Sequence, residues 1–308
     1  MTTTSVPSPA SAPRLGTTAY AAAAARAAHL EVDAPPSLLD DSLAARLLGD
    51  AGAGFLGYQR AYPAEPVLAT ARLGTLARSR VAEDLLAASA SRQYVVLGAG
   101  LDTSSLRVAA PSGRTAFEVD LPGAGVAKRA ALAAAGIPVP DAVRFVAADL
   151  RDPEWPAALL DAGLDPTRPA FVACLGVTMY LTADDVRGLA LGVASLAPGS
   201  ELVLDHVLPA GCRDEGGEVY ARGVAAVAAQ SGEPWRFEAA PDEMAALLEG
   251  VGLAVVRVGD LADAVAHLLA GRTDALRPVR IAGLAHARVP EPARVPVRGS
   301  ADVSGRAS

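Results

Sequence analysis

The chain has 308 residues, half of them apolar and a fifth charged, with a formal net charge of −7. Such a length can bury a large core, while the acidic balance argues against a phosphate-backbone partner, which needs clustered Lys and Arg. Only Cys174 and Cys212 occur, and His29, His206, His267 and His286 are scattered, which speaks against a disulfide framework, a Cys-based zinc site or a helical His pair for a metal.

Met1 to Arg14 are rich in Ser, Thr, Pro and Ala and lack a basic start followed by an apolar run. They predict a disordered tail rather than a signal peptide. Thr17 to Leu30 predict an Ala-rich helix, too short and too charged to span a membrane. Pro35-Pro36 break it. Asp41 to Leu48 predict a second helix closed by Gly49, and Gly52-Ala53-Gly54 a flexible joint. Helical spacing resumes from about Val67 to Ala88, carrying Arg72, Arg78 and Arg80. This helical front end, residues 15–93, is expected to lie across a ligand cleft as a lid, or else to act as a cap that only shields a sheet. The expected compartment is the cytoplasm.

From Tyr94 the pattern alternates strand and helix up to about residue 288. Four strand-favouring residues run into Gly98-Ala99-Gly100, and a helix is expected behind the turn, its unpaired N–H groups pointing back toward a ligand. The further expected strands are Thr115–Asp120, Val143–Ala147, Ala170–Leu175, Glu201–Val207, Gly252–Val258 and Arg280–Arg288. Helices are expected over about 123–135, 155–162, 182–196 with Thr182 as N-cap, 220–229, 241–248 and 260–270. This order predicts an α/β chain with a doubly wound, mostly parallel sheet. The stretch beyond Val289 is Pro- and Arg-rich and is expected to be a second disordered tail.

Two ligands compete for a glycine turn at the end of a first strand. A dinucleotide needs Gly-x-Gly-x-x-Gly. Here the third position is Thr103, and Asp102 would bring a carboxylate close to a pyrophosphate. S-adenosylmethionine carries an ammonium and a sulfonium instead, so Asp102 beside the turn favours it over NAD. Asp120 ends the second strand, where a carboxylate can accept both ribose hydroxyl protons. Glu118, on the same strand face, is the second choice, and a solvent-facing strand end is the alternative for Asp120. Asp149 can accept an adenine amino group, and the Leu150 N–H can serve a ring nitrogen. Asp149 could otherwise be a helix N-cap.

The blocks Leu97-Gly98-Ala99-Gly100-Leu101-Asp102-Thr103, Phe117-Glu118-Val119-Asp120, Ala148-Asp149-Leu150-Arg151-Asp152 and Met179-Tyr180-Leu181 resemble the leucine carboxyl methyltransferase superfamily, and more closely its bacterial O-methyltransferase branch near polyketide pathways. The front end agrees, with Arg26-Ala27-Ala28-His29, Pro35-Pro36 and the run from Asp40 to Leu47. The resemblance implies a class I methyltransferase fold with seven strands, the last antiparallel, and S-adenosylmethionine as cofactor. It also implies that Arg78 grips the cofactor carboxylate, which a guanidinium can do with two parallel bonds. Gly98 and Gly100 would then contact the methionine part. One departure stands out. Leu175 occupies the place where many relatives carry a glutamate for the cofactor ammonium, so that contact must be missing or come from elsewhere, for example from a backbone carbonyl near Cys174 or Gly100.

Methyl transfer is an in-line displacement, so the protein mainly aligns the reactants and excludes water. A carboxylate acceptor needs no base, whereas a phenol or alcohol benefits from one. His206 is the best-placed base candidate, with a structural polar pair beside Asp205 as the alternative. Tyr180 could line the acceptor pocket or simply pack. Residues 209–237, with Tyr220, Trp235 and Phe237, are expected to roof that pocket over a small-molecule acceptor. An NAD-dependent oxidoreductase and a non-catalytic cofactor binder are the competing functions.

Overall fold

The computed structural model describes residues 15–291, and the two expected tails, 1–14 and all but the first three residues of 289–308, lie outside the described residues. Three helices come first: α1 (Thr17–Val32), α2 (Ala44–Ala61) and α3 (Pro66–Ala88). Strands and helices then alternate through β1 (Gln93–Leu97), β2 (Thr115–Asp120), α4 (Pro122–Ala134), β3 (Val143–Ala147), α5 (Trp155–Asp161), β4 (Ala170–Cys174), α6 (Ala183–Ala194) and β5 (Glu201–Val207). The chain continues with α7 (Glu215–Gln230), α8 (Pro241–Gly250), β6 (Ala254–Asp260), α9 (Leu261–Leu269) and β7 (Ala282–Arg288).

One seven-stranded sheet results, in the order β3-β2-β1-β4-β5-β7-β6. β1 to β5 pair in parallel, and β7 runs antiparallel between β5 and β6. The central strands β1, β4 and β5 are buried along their whole length, which is why they are continuous apolar runs. Alternation divides their side chains between two cores. Val96, Ala173 and Val203 meet α1, α2 and α3 on one face, and Val95, Val172 and Leu202 meet α5, α6 and α8 on the other. Local signals hold where they were strong. Thr182 Oγ1 accepts the Asp185 N–H at 3.2 Å while Asp185 Oδ2 accepts the Thr182 N–H at 2.9 Å, closing a capping box on α6.

Two expectations fail locally. Gly52-Ala53-Gly54 is not a joint: α2 runs through it, and the break falls at Gly49, with φ 51° and ψ −160°. Gly52 lies within the helix, and Leu48 packs against its backbone where a Cβ would collide. Behind the glycine turn there is no full helix but a five-residue π-turn, Ser105–Ala109. Its serines turn inward. The Ser104 hydroxyl pairs with Tyr94 Oη at 2.9 Å, and the Ser105 hydroxyl bonds Glu118. These side-chain bonds compete with a regular helical start.

The helical front end is bound to the sheet by buried charge. Arg26, a lone cation in the alanine run of α1, is paired with Asp41 at 2.7 Å and donates to the Leu101 carbonyl at 2.6 Å. Asp41 also meets Arg107 at 3.3 Å. A second network joins the three front helices. Arg72, with no exposed surface, holds Asp33 at 2.9 Å, Gln59 at 2.8 Å and the Pro63 carbonyl at 2.6 Å. His29 Nε2 accepts the Leu38 N–H at 2.8 Å, which puts its ring proton on Nδ1, facing Asp33. Removing one member of a buried pair leaves an uncompensated charge. Arg26→Ala is therefore expected to lower stability by roughly 3 kcal/mol, read as a shifted midpoint in urea unfolding; a loss below about 0.5 kcal/mol would contradict the role given to this pair.

Candidate active site

The register sets the geometry of the carboxyl edge. Val119, Leu97, Cys174 and Leu204 form the last fully paired row across β2, β1, β4 and β5. One residue further lie Asp120, Gly98, Leu175 and Asp205. By alternation these four belong to the face covered by α1, α2 and α3, and Leu175 packs with that core. Three strand spacings, about 14 Å, separate the backbones that carry the two carboxylates.

Between them is the glycine turn. Gly98 and Gly100 have φ of 67° and 43°, values that suit glycine. Gly98 and Ala99 donate to the Val119 carbonyl at 2.8 and 3.2 Å. Asp120 Oδ2 accepts the Gly100 N–H at 2.7 Å and Oδ1 accepts the Leu121 N–H at 2.7 Å, so the end of β2 is fastened to the turn. Glu118, the second choice for the ribose role, is not free for it. It is buried, with Lys128 Nζ 2.6 Å from Oε2 as an ion pair and Ser105 on Oε1.

Asp102 is a correction. Its carboxylate was expected to face the ligand, and instead it serves the turn. Oδ1 accepts the Ser104 N–H at 2.7 Å and bonds the Ser104 hydroxyl, while Lys128 Nζ donates to the Asp102 carbonyl at 2.6 Å. Burial pushes its pKa up, but Arg26, Lys128 and the Ser104 bonds outweigh that and hold it below the ordinary Asp value. Oδ1 is committed to Ser104 inside the turn, so Asp102 is not the free ligand-facing carboxylate that was expected. Sequence spacing gave no sign that Arg26 and Lys128 come near it, because they arrive from α1 and α4.

Asp149 and Leu150 sit just past β3. The Asp149 carboxylate takes Arg151 Nε at 2.9 and 3.1 Å and the Arg151 N–H at 3.0 Å, and these bonds hold its pKa down. Leu150 is buried, and among the described residues its N–H has no protein acceptor. That leaves the donor expected for an adenine nitrogen unused.

Arg78 reaches the same edge from α3. Its Nη1 lies 3.4 Å from Asp205 Oδ2, and a Cβ on Gly176 would sit 2.8 Å from its Nη2. Gly176, with φ 71°, thus makes room for the guanidinium. Arg78 is not a loose surface charge.

His206 is the second correction. It points to the opposite face from Asp205, is fully buried, and lies against Gly283, where a Cβ would collide with its ring. Neither ring nitrogen has a hydrogen-bond partner among the described residues. A group sealed under the far face of the sheet cannot take a proton from a substrate above the edge. Tyr180 ends a short 3-10 turn, Thr178–Tyr180, and packs with Met179, Val207, Tyr220, Trp235 and Ile281. Burial raises the pKa of Tyr180 and pushes that of Tyr220 up to about 12. Both phenols are donors, not bases, at neutral pH.

The edge is roofed. Ala19 Cβ would touch a Cβ on Gly100 at 3.3 Å, and Val177 closes over Gly98. Thr18 bonds Glu233 through its N–H at 3.3 Å and its hydroxyl at 3.1 Å, joining α1 to the segment after α7. Arg236 N–H donates to the Met179 carbonyl at 2.7 Å. Of the front end expected to act as a lid or a cap, α1 is the helix that lies against the glycine turn, and the segment after α7 is joined to it.

The sheet order and this edge define a class I methyltransferase fold. The chain belongs to the leucine carboxyl methyltransferase family, which its residues 19–194 match. Among its relatives, a protein of Mycolicibacterium smegmatis provisionally assigned as an S-adenosyl-L-methionine-dependent methyltransferase is 36% identical over 203 residues, 63% of this chain and 67% of the relative. A similarly assigned protein of Mycobacterium sp. strain KMS is 34% identical over 208 residues, covering 65% of this chain and 68% of its own. Two crystal structures share the fold. One, of a protein from Thermobifida fusca described as a methyltransferase, has a TM-score of 0.58 at 20% identity, over 90% of this chain and 96% of its own. The other, a DUF574 family protein of Streptomyces avermitilis, has a TM-score of 0.57 at 20% identity, over 90% and 99%.

Burial holds the His206 imidazole below its ordinary range, by desolvation above all. The unfolded chain then takes up a proton before the folded one as pH falls. Stability is full above about pH 6.5 and declines below it, toward the folded-state value. His206→Leu is expected to remove part of the stability loss between roughly pH 6.5 and 5 in urea titrations and to leave kcat/KM within about threefold. A loss of several hundredfold with an intact fold would restore the base role.

Proposed function

We propose that this protein transfers the methyl group of S-adenosylmethionine to an oxygen of a small-molecule acceptor, and that a polyketide or another secondary metabolite is the acceptor class. The observation that carries this is the meeting, at one carboxyl edge, of the glycine turn, the Asp120 carboxylate fastened to it at 2.7 Å and the Arg78 guanidinium, in a chain of this family. Asp120 would hold the ribose hydroxyls, Asp149 and the Leu150 N–H the adenine, and Arg78 the carboxylate. For Asp149 this requires sharing its oxygens with Arg151. The bound cofactor supplies an electrophilic methyl on a sulfonium and its own leaving group. The protein's residues have to hold, align and keep water out.

A dinucleotide is not favoured. Thr103, at the third glycine position, is buried and accepts Arg107 Nε at 2.8 Å, so it does not bring a helix close to a pyrophosphate. The acceptor side combines the apolar wall of Met179, Val207 and Ile281 with the protonated hydroxyls of Tyr180 and Tyr220. Such a wall orients an oxygen but takes no proton from it. An acceptor whose oxygen is already anionic, a carboxylate, suits it best, and an alkyl hydroxyl suits it least. A cytoplasmic location belongs to the same proposal; no described helix is long and apolar enough to cross a membrane.

Calorimetric titration should show binding of S-adenosylmethionine and none of NAD. Asp120→Ala and Arg78→Ala should each weaken it by at least about tenfold, or 1.4 kcal/mol. Tritiated methyl should pass to carboxylic acids in preference to phenols and alcohols. Firm NAD binding without the sulfonium compound would overturn the cofactor, and cofactor binding with no transfer across the whole panel would favour a non-catalytic binder.

A further inference from the structure

The amino-acid end of a methyl donor is a zwitterion. A guanidinium answers its carboxylate, but the ammonium needs an acceptor of opposite sign, and just past β4 Leu175 has none to offer. We infer that Asp205, at the end of β5, receives the ammonium, so that Arg78 and Asp205 together read the charge pair of the donor's amino-acid end.

Several observations converge on this. Asp205 stands in the same row as Gly98 and Asp120, one residue past the last pairing of β4 with β5, and faces the same side of the sheet. Its strand is next to β4, so its carboxylate reaches the turn where Leu175 leaves no charge. Oδ1 accepts the Gly176 N–H at 2.6 Å, which aims the group at that turn. The residue is nearly fully buried, and the only ion pair it makes among the described residues is the long 3.4 Å contact with Arg78. Buried carboxylates are normally paired more closely than this. A 3.4 Å single contact also leaves most of the Arg78 fork unused among the described residues. A zwitterion of matching polarity can lie along this dipole, its carboxylate on the open side of Arg78 and its ammonium on Asp205. The ribose site at Asp120 and the ammonium site at Asp205 then lie on either side of the glycine turn, on strands three spacings apart.

Asp205 therefore acts as a binding and specificity residue for the donor. This rests on the cofactor proposed above, and the test separates the two. Binding of S-adenosylhomocysteine and of its desamino analogue is measured by calorimetry on the full chain and on Asp205→Asn, which keeps the Gly176 bond and the side-chain shape. Thermal unfolding of both proteins checks that the fold is retained. The intact protein is expected to bind the desamino analogue at least tenfold more weakly than S-adenosylhomocysteine. In Asp205→Asn that discrimination should collapse to within about threefold, through weaker S-adenosylhomocysteine binding and unchanged analogue binding. Equal weakening of both ligands would overturn the inference and make Asp205 only a support for Arg78, as would unchanged discrimination. If Asp205→Asn unfolds, Asp205→Glu is judged by the same ratio, where retained discrimination with either affinity supports the inference and lost discrimination opposes it. If the intact protein binds neither compound, the cofactor proposal itself falls.

Discussion

Arg26 is the constraint on which the rest depends. It leaves an alanine helix, is fixed by Asp41, and donates 2.6 Å into the carbonyl of Leu101, inside the glycine turn. From the other side Lys128 donates into the next carbonyl, that of Asp102, while paired with Glu118. A tight turn with two successive carbonyls held by buried cations cannot drift. Isolated buried charges would be costly, and here they are shared out: Asp41 also meets Arg107, and Arg107 meets Glu83. The front helices and the sheet are thereby one electrostatic unit, although they are far apart in sequence.

With the turn fixed, the carboxyl edge becomes a ruler. Parallel register puts Asp120 and Asp205 on one level, and alternation turns both to the face where Arg78 arrives. Chemistry on this face is separated from chemistry on the other. His206 differs from Asp205 by one residue, and that single step sends it to the opposite face, buried against Gly283. The edge thus has acidic ends, a basic visitor from α3 and phenols that stay protonated.

Much of this was legible in the sequence because it depends on local chemistry. The bounds of β2, β3 and β5, the Thr182 capping box and the glycine turn follow from periodicity, cap residues and positive φ. Asp120, Asp149 and Leu150 fall at strand ends, where position follows from the strand itself. What was not legible depends on partners distant in sequence. Asp102 is an acidic residue beside a turn, and nothing near it in the chain announces that Arg26 and Lys128 come close to it while paired with other carboxylates. Asp205 could have been found, since counting alternation through Val203 places it on the Arg78 face. The π-turn after Gly100 was hidden because a serine pair looks like an ordinary helix start until its inward bonds are seen.

The bond between Thr18 and Glu233 has a consequence for motion. Its helix rests on Gly100 through the neighbouring Ala19, and the segment bearing Glu233 leads directly to Trp235 beside the phenols. One clasp therefore ties the cover of the glycine turn to the segment that carries Trp235, so a displacement of either is passed to the other.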